Sequence, residues 1–141
     1  MMNPYMQETE NALVHTYNRF PVIFEKGEGV YLYDTEGKKY LDFAAGIAVC
    51  GLGYGNPELT AAVKEQTELL WHTSNLFYNA SCGTAAEALK KASGMDRVFF
   101  TNSGTESNEG MLKAARKYAW KKKTGRYEFI AMEGSFHGRS M

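Results

Sequence analysis

The chain has 141 residues, enough for about one domain, and 44% of them are apolar. Its 16 basic and 16 acidic residues balance, which argues against binding to nucleic acid or to a membrane surface through net charge. No apolar run approaches the roughly 20 residues of a membrane span, no signal peptide is recognisable, and the two cysteines make neither a disulfide framework nor a metal site. We therefore predict a cytoplasmic protein with reduced thiols.

The first 50 residues predict a small antiparallel meander. A short helix is favoured within residues 5–16, and Pro21 belongs to the loop that follows it. Three strands with glycine-containing turns between them are then predicted, at 22–24, 30–34 and 39–43. We assign residues 1–50 to an N-terminal segment and expect its sheet to be structural.

Residues 51–141 predict the first part of a larger α/β domain. The glycine-rich stretch 44–55 lacks the spacing of a dinucleotide-binding fingerprint, so we interpret it as a loop in which backbones approach closely. Helices are predicted at 57–71, 81–93 and 105–122, with Asn56 as a cap and Gly94 as a stop.

The last of these helices is flanked by two predicted strands, 97–101 and 127–132. Together they predict a βαβ unit with a right-handed crossover. Gly110 lies inside the helix, where it costs about 1 kcal/mol relative to Ala, so we expect another group to pack close to it.

The turn that opens this helix predicts an anion site, formed by Ser103, Gly104 and Thr105. A helix that begins there presents unpaired backbone N–H groups and the positive end of its dipole. With one Gly and no Lys, the turn suits a single phosphate better than a nucleoside triphosphate. The alternative is that its Ser and Thr only cap the helix.

A second loop, residues 133–139, is expected at the same edge of the sheet, because the carboxyl ends of parallel strands meet there. Phe136 could stack on a flat ligand ring, or it could be a core residue. Arg139 could bind a carboxylate through two hydrogen bonds, or it could be a surface charge. None of the three histidines has a partner at metal spacing, so we predict no metal site.

The segments 102–109 (Asn-Ser-Gly-Thr-Glu-Ser-Asn-Glu) and 136–140 (Phe-His-Gly-Arg-Ser) resemble the class III, ornithine-type aminotransferases that use pyridoxal 5′-phosphate. The resemblance runs through the whole chain, and segments 46–49 and 71–75 are similar to the acetylornithine branch. It implies the N-terminal part of the fold-type I transferase fold, in which a small antiparallel meander precedes the start of a mostly parallel sheet with flanking helices. It also implies a cytoplasmic homodimer that transfers the terminal amino group of N2-acetylornithine to 2-oxoglutarate in arginine biosynthesis.

The same resemblance implies roles for residues of the two loops. Gly104 and Thr105 would hold the cofactor phosphate, with Ser103 beside them. Phe136 would stack on the pyridine ring of the cofactor. Arg139 would bind the α-carboxylate of the substrate.

The resemblance extends to further positions outside the two loops. Tyr17 is similar to a substrate-side tyrosine of the ornithine enzymes, and the loop 74–75 would lie near the dimer interface. Ser107 and Gly110 stand where Ala is common. Both residues are small, so we expect the anion site to be unaffected.

No residue of this chain matches the family's Schiff-base lysine or the acidic residue that pairs with the pyridine nitrogen. We therefore predict no catalytic residue in the chain and expect it to be the front part of a longer enzyme, unable to transaminate alone. Its open sheet predicts aggregation or a molten state when it is expressed by itself. The alternatives are an ornithine or succinylornithine aminotransferase, and a truncated remnant that serves as a non-catalytic interaction module.

Overall fold

The computed structural model of the protein describes residues 3–140. Contacts within the chain divide it into two compact units, one ending at His72 and the other beginning at Thr73. The division into domains after residue 50 stays a prediction. Within residues 3–140, no helix combines the length and the apolar character that a membrane crossing requires.

The amino-terminal unit contains the predicted meander. Helix α1 (Pro4–Ala12) comes first, and the Asn3 side chain caps it by accepting a hydrogen bond from the Tyr5 N–H. Three strands follow in the antiparallel order β1-β2-β3. Their bounds are Phe24–Glu28 for β1, Tyr31–Asp34 for β2 and Lys39–Leu41 for β3.

The first strand lies further along the chain than the sequence pattern indicates. Gly27 and Glu28, predicted as a turn, pair with Leu32 and Tyr31 of β2. The reversal instead falls at Gly29, whose φ of 57° is in the left-handed region that suits glycine. A glycine marks a turn in a sequence, but the pairing register decides which of two nearby glycines makes it.

The glycine-rich stretch closes back onto the meander, which confirms the expected close approach of backbones. Gly29 and Tyr54 exchange two backbone hydrogen bonds, of 2.9 and 2.8 Å. A side chain on Gly53 would place its Cβ 2.6 Å from the Gly29 carbonyl oxygen. Helix α3 (Pro57–Leu69) then begins as predicted, with the Asn56 side chain accepting from the Leu59 N–H at 2.9 Å.

A feature that the sequence did not predict is α2 (Ala45–Ala48), a single left-handed turn inside the same stretch. Ile47 has φ 66° there, a conformation that β-branched residues rarely adopt because it is strained. The Asp42 carboxylate supports the turn by accepting from the N–H groups of Ala44 and Ala45, at 2.9 and 3.0 Å.

The carboxyl-terminal unit contains two long helices, α4 (Ala80–Ser93) and α5 (Gly104–Lys121), within one or two residues of the predicted bounds. Gly94 ends α4 in the left-handed conformation with φ 70°, as predicted. The expected close contact at Gly110 is also confirmed. A Cβ on Gly110 would lie 3.1 Å from the Phe99 ring.

The two strands predicted around α5 are not formed. Segments 97–101 and 127–132 are neither helix nor strand, and the meander is the only sheet in the described part of the chain. A strand exists only where a second backbone lies alongside it and completes its hydrogen bonds. Neither segment has such a neighbour among residues 3–140, so the prediction of a βαβ unit is wrong for this structure.

None of the residues 3–140 is buried. The solvent-accessible surface is 13239 Å², whereas a compact monomer of 15.8 kDa would expose only about 7,300 Å². Large apolar side chains are among the exposed residues, and the Ile130 side chain is fully exposed. The described residues therefore form elements of a fold without a closed hydrophobic core.

Candidate functional site

The start of α5 holds the three residues of the predicted anion site. Ser103 is the helix cap, and its hydroxyl accepts from the Glu106 N–H at 3.2 Å. The Glu106 carboxylate reaches back and accepts from the Asn102 N–H at 2.7 Å. This reciprocal pattern resembles a capping box, and it occupies two backbone donors at the turn.

Between these paired donors, the backbone N–H groups of Gly104 and Thr105 have no acceptor among residues 3–140. These two residues are the first two positions of the helix, where backbone N–H groups have no intrahelical partner. Gly104 has no neighbouring atom within 4 Å of the place where a Cβ would project, and its φ is not in the left-handed region. Neither close packing nor backbone conformation therefore requires a glycine at position 104. The absence of a side chain leaves open space beside the two unpaired N–H groups.

Hydrogen bonds among Thr101, Ser103 and Ser107 stabilise the turn that opens α5. The Thr101 and Ser107 hydroxyls lie 2.5 Å apart, so one donates to the other; each oxygen is also 3.1 Å from the Ser103 carbonyl oxygen, which accepts the remaining hydroxyl hydrogen. Ser107 therefore ties the first turn of α5 to the end of segment 97–101. An Ala at this position would lack that bond.

The loop 133–140 packs against the first two turns of α5. A side chain on Gly138, whose φ is 102°, would place its Cβ 2.5 Å from the Thr105 hydroxyl oxygen. Two residues later, the Ser140 hydroxyl donates a hydrogen bond to the Glu109 carboxylate. The structure thus brings the loop with Phe136 and Arg139 to the same end of α5 as the anion site.

Arg139 and Phe136 interact directly within this loop. The guanidinium carbon of Arg139 lies 5.0 Å from the centre of the Phe136 ring, the distance of a cation–π contact. Phe136 is still 69% exposed, so the ring is not a core residue in this structure. One ring face can therefore meet a ligand.

Glu109 is a residue of this region to which sequence analysis assigned no role. One of its carboxylate oxygens accepts from Ser140, and the other lies 3.2 Å from the Lys113 ammonium. The Ser140 hydroxyl first, and Lys113 second, lower the pKa of the Glu109 carboxyl. The segment 102–109 contains Glu109, but nothing in the sequence indicates its partner 31 positions away.

Tyr17 belongs to the amino-terminal unit. It lines a cavity of about 470 Å³ between α1 and the segment that leads into β1. The same cavity contains an ion pair of 3.3 Å between Glu10 and Arg19. The role of Tyr17 toward a substrate stays a prediction.

The amino-terminal unit also contains a bonded pair, Tyr54 and Asp42, that the sequence did not predict. The Tyr54 hydroxyl donates to the Asp42 carboxylate at 2.6 Å. This bond is the main reason that the pKa of Tyr54 is raised to about 12, and it also lowers the pKa of Asp42. Asp42 thereby connects the left-handed turn α2 to the loop before α3.

Among residues 3–140, no group of three His, Cys, Asp or Glu side chains converges as metal ligands would. A family model, aminotransferase class-III, matches residues 12–141. The chain belongs to the class III aminotransferases.

Relatives within the family share the sequence and the fold. The chain is 52% identical over 137 residues to acetylornithine aminotransferase of Gloeobacter violaceus, covering 96% of this chain and 34% of that protein. It matches the structure of N-acetylornithine aminotransferase from Stenotrophomonas maltophilia with a TM-score of 0.79 at 46% identity, over 88% and 35% of the two chains. Ornithine aminotransferase from Toxoplasma gondii matches with a TM-score of 0.82 at 33% identity, over 86% and 29%.

These matches show the fold and the part of the related proteins that the chain covers. The neighbours are aminotransferases that depend on pyridoxal phosphate, and the chain has the fold of their N-terminal part. The chain spans about a third of the length of the curated relatives that it matches.

Proposed function

We propose that this chain is the part of an aminotransferase that binds the cofactor phosphate and the substrate carboxylate. The proposed reaction transfers the terminal amino group of N2-acetylornithine to 2-oxoglutarate. The support is that curated relatives named acetylornithine aminotransferase are 44% to 52% identical to it over most of its length. With this reaction we also propose a cytoplasmic homodimer that acts in arginine biosynthesis and whose loop 74–75 faces the partner.

The observation that carries the proposal is the open space at Gly104. The backbone of Gly104 does not require a glycine, since its φ is not in the left-handed region, and a glycine loses more conformational freedom on folding than Ala does. Nothing within residues 3–140 occupies the position of its side chain. A bound phosphate that takes the N–H groups of Gly104 and Thr105 explains both the glycine and the unpaired donors.

The other side chains of the site fit the same group. Ser103 would stand beside the phosphate with its hydroxyl already used as the helix cap, Phe136 would contact the cofactor ring, and Arg139 would take the α-carboxylate of the substrate. A substrate held by Arg139 would direct its distal amine away from the guanidinium. Pyridoxal phosphate, when bound, supplies the electron sink that amino-group transfer requires.

Ornithine aminotransferase is the second candidate, because solved ornithine enzymes match the fold with a TM-score of 0.82. Their sequence identity to this chain is 33%, lower than that of the acetylornithine enzymes. Succinylornithine is a third amino donor to be compared.

The test uses the complete polypeptide that contains residues 1–141, purified with and without pyridoxal phosphate. Gly104→Ala is expected to weaken cofactor binding by tenfold or more, which is about 1.4 kcal/mol, while the melting temperature of the cofactor-free protein stays equal or rises. Gly83→Ala is the matched control, because that glycine also lies in a helix with open space beside it. Equal cofactor affinity of Gly104→Ala and Gly83→Ala would show that the space at Gly104 does not hold the cofactor phosphate.

Substrate choice is tested by steady-state rates with 2-oxoglutarate and each amino donor. We expect the largest kcat/KM with N2-acetylornithine, and smaller values with ornithine and succinylornithine. A protein that binds pyridoxal phosphate but transfers no amino group from any of the three would contradict the proposed reaction. A preference for ornithine would favour the second candidate.

A further inference from the structure

The contact between Ser140 and Glu109 joins two parts of the chain that are 31 residues apart. One carboxylate oxygen of Glu109 takes the Ser140 hydroxyl, and the other is held by Lys113 at 3.2 Å. Because both oxygens are engaged, the carboxylate has little rotational freedom. Its side chain is 27% exposed, so it lies largely between the helix and the loop.

A second contact lies one helical turn earlier. Gly138 packs on Thr105 so closely that a Cβ at position 138 would lie 2.5 to 2.8 Å from three atoms of the Thr105 side chain. Thr105 and Glu109 are four residues apart in α5, so they lie on the same face of the helix.

The spacings of the two contacts are compatible. Four residues of an α-helix rise about 6 Å, which is within the reach of about 7 Å that two residues of chain can have at most, and Arg139 lies at a bend between the contacts. The segment from Gly138 to Ser140 can therefore run along one turn of α5 with both ends held. Arg139 is the residue between the two contacts, and its guanidinium lies over Phe136 at 5.0 Å.

We propose that Glu109 is a positioning residue: by holding the Ser140 hydroxyl, it fixes the backbone on the carboxyl side of Arg139 and so sets where the guanidinium and the Phe136 ring lie. This inference rests on the proposed function insofar as it concerns substrate, because Arg139 is the residue proposed to take the carboxylate. In this proposal Glu109 needs no contact with substrate or cofactor. Its effect is transmitted through Ser140.

The contact is tested without any activity measurement by trypsin cleavage after Arg139 in the complete, cofactor-free polypeptide. Ser140→Ala and Glu109→Ala are each expected to raise the cleavage rate about tenfold, the factor that one hydrogen bond to a charged group represents, since cleavage tracks the population of the open loop. Ser140→Thr keeps the hydroxyl and is expected to match the unmodified protein. The double variant is expected to be no faster than either single one. Unchanged rates, or effects that multiply, would overturn the proposal.

The consequence for substrate is tested by comparing N2-acetylornithine with the same molecule lacking its α-carboxylate. Ser140→Ala is expected to raise the KM for the carboxylate substrate about tenfold, with a small change in kcat and little change for the decarboxylated analogue. Equal losses with both substrates would mean a general structural role and would overturn the positioning role. If the unmodified protein transfers no amino group, the proposed function fails and the role toward substrate fails with it. In that case the trypsin cleavage rates still test the contact between Ser140 and Glu109 independently.

Discussion

The hydroxyl of Tyr54 donates a hydrogen bond of 2.6 Å to the carboxylate of Asp42, twelve positions earlier in the chain. The other Asp42 oxygen accepts from the backbone of Ala44 and Ala45. One carboxylate therefore holds both the left-handed turn α2 and the loop that carries Tyr54.

This pair predicts an unusual titration. The pKa of Tyr54 is raised to about 12 by the bond to Asp42, above the value of about 10 of an unfolded tyrosine. Because the folded-state pKa is raised, the stabilisation is complete below pH 10 or so and is lost as the pH rises through about 12. Phenolate absorbance of the complete polypeptide measures it, with Tyr54→Phe identifying the transition. Asp42→Asn is expected to move that transition to lower pH, and an unmoved transition would show that Asp42 is not the cause.

The close packing of loop 133–140 on α5 predicts different effects at two of its glycines. Gly138→Ala would collide with Thr105, whereas Gly134→Ala would meet nothing within 4 Å, although both residues have positive φ. Gly134→Ala has backbone strain alone, at φ 75°, whereas Gly138→Ala adds the collision to the strain at φ 102°. We expect Gly138→Ala to weaken pyridoxal phosphate binding at least tenfold more than Gly134→Ala, which is about 1.4 kcal/mol. Equal dissociation constants would show that the loop can move off the helix without consequence.

Arg139 is expected to control the KM of carboxylate substrates. Loss of hydrogen bonds from a charged group costs about 1.5–3 kcal/mol, so Arg139→Ala should raise the KM about ten- to a hundredfold. Arg139→Lys should recover part of this, because Lys keeps the charge but cannot bind a carboxylate with two parallel hydrogen bonds. Arg126→Ala, beyond the end of α5, is the control and should leave the KM unchanged. A normal KM in Arg139→Ala would remove this arginine from substrate binding.

The contact between Phe99 and Gly110 predicts a difference between two helix glycines. Gly83→Ala in α4 has open space and should raise the free energy of unfolding by about 0.5–1 kcal/mol. Gly110→Ala gains the same helix propensity but pushes against the Phe99 ring at 3.1 Å. Its gain should therefore be smaller, and Phe99→Ala should abolish the difference between the two glycine substitutions. Denaturant unfolding of the complete polypeptide measures each glycine substitution with and without Phe99→Ala, and equal gains from both glycines in the protein that keeps Phe99 would contradict the contact.

The exposed surface predicts how the 141 residues behave when expressed alone. With 13239 Å² accessible and no residue of 3–140 buried, the chain should aggregate or show a broad, non-cooperative melt with dye binding to apolar surface. No absorbance band of a lysine-bound cofactor is expected. A sharp melt of a monomer, or a lysine-dependent cofactor band, would contradict these expectations.

Features that depend on neighbouring residues were predicted from the sequence. Asn56 and Gly94 bound their helices as predicted, because caps act on backbone groups a few residues away. The meander was predicted for the same reason, although the register placed its first turn at Gly29. A close contact at Gly110 was correctly predicted, but the sequence did not predict that Phe99 makes it.

Features that join distant residues were decided by the tertiary structure. Segments 97–101 and 127–132 have the composition of strands, yet they form none within residues 3–140 because a strand needs a partner backbone. The bonds of Asp42 with Tyr54 and of Glu109 with Ser140 leave no pattern in the sequence, since the folded path of the chain alone brings those side chains together. The sequence by itself determined the family and the long helices α3, α4 and α5, and it predicted the residues of the anion site. The tertiary structure decided which side chains of loop 133–140 and α5 meet, Gly138 with Thr105 and Ser140 with Glu109, because packing depends on distances in space and not on spacing along the chain.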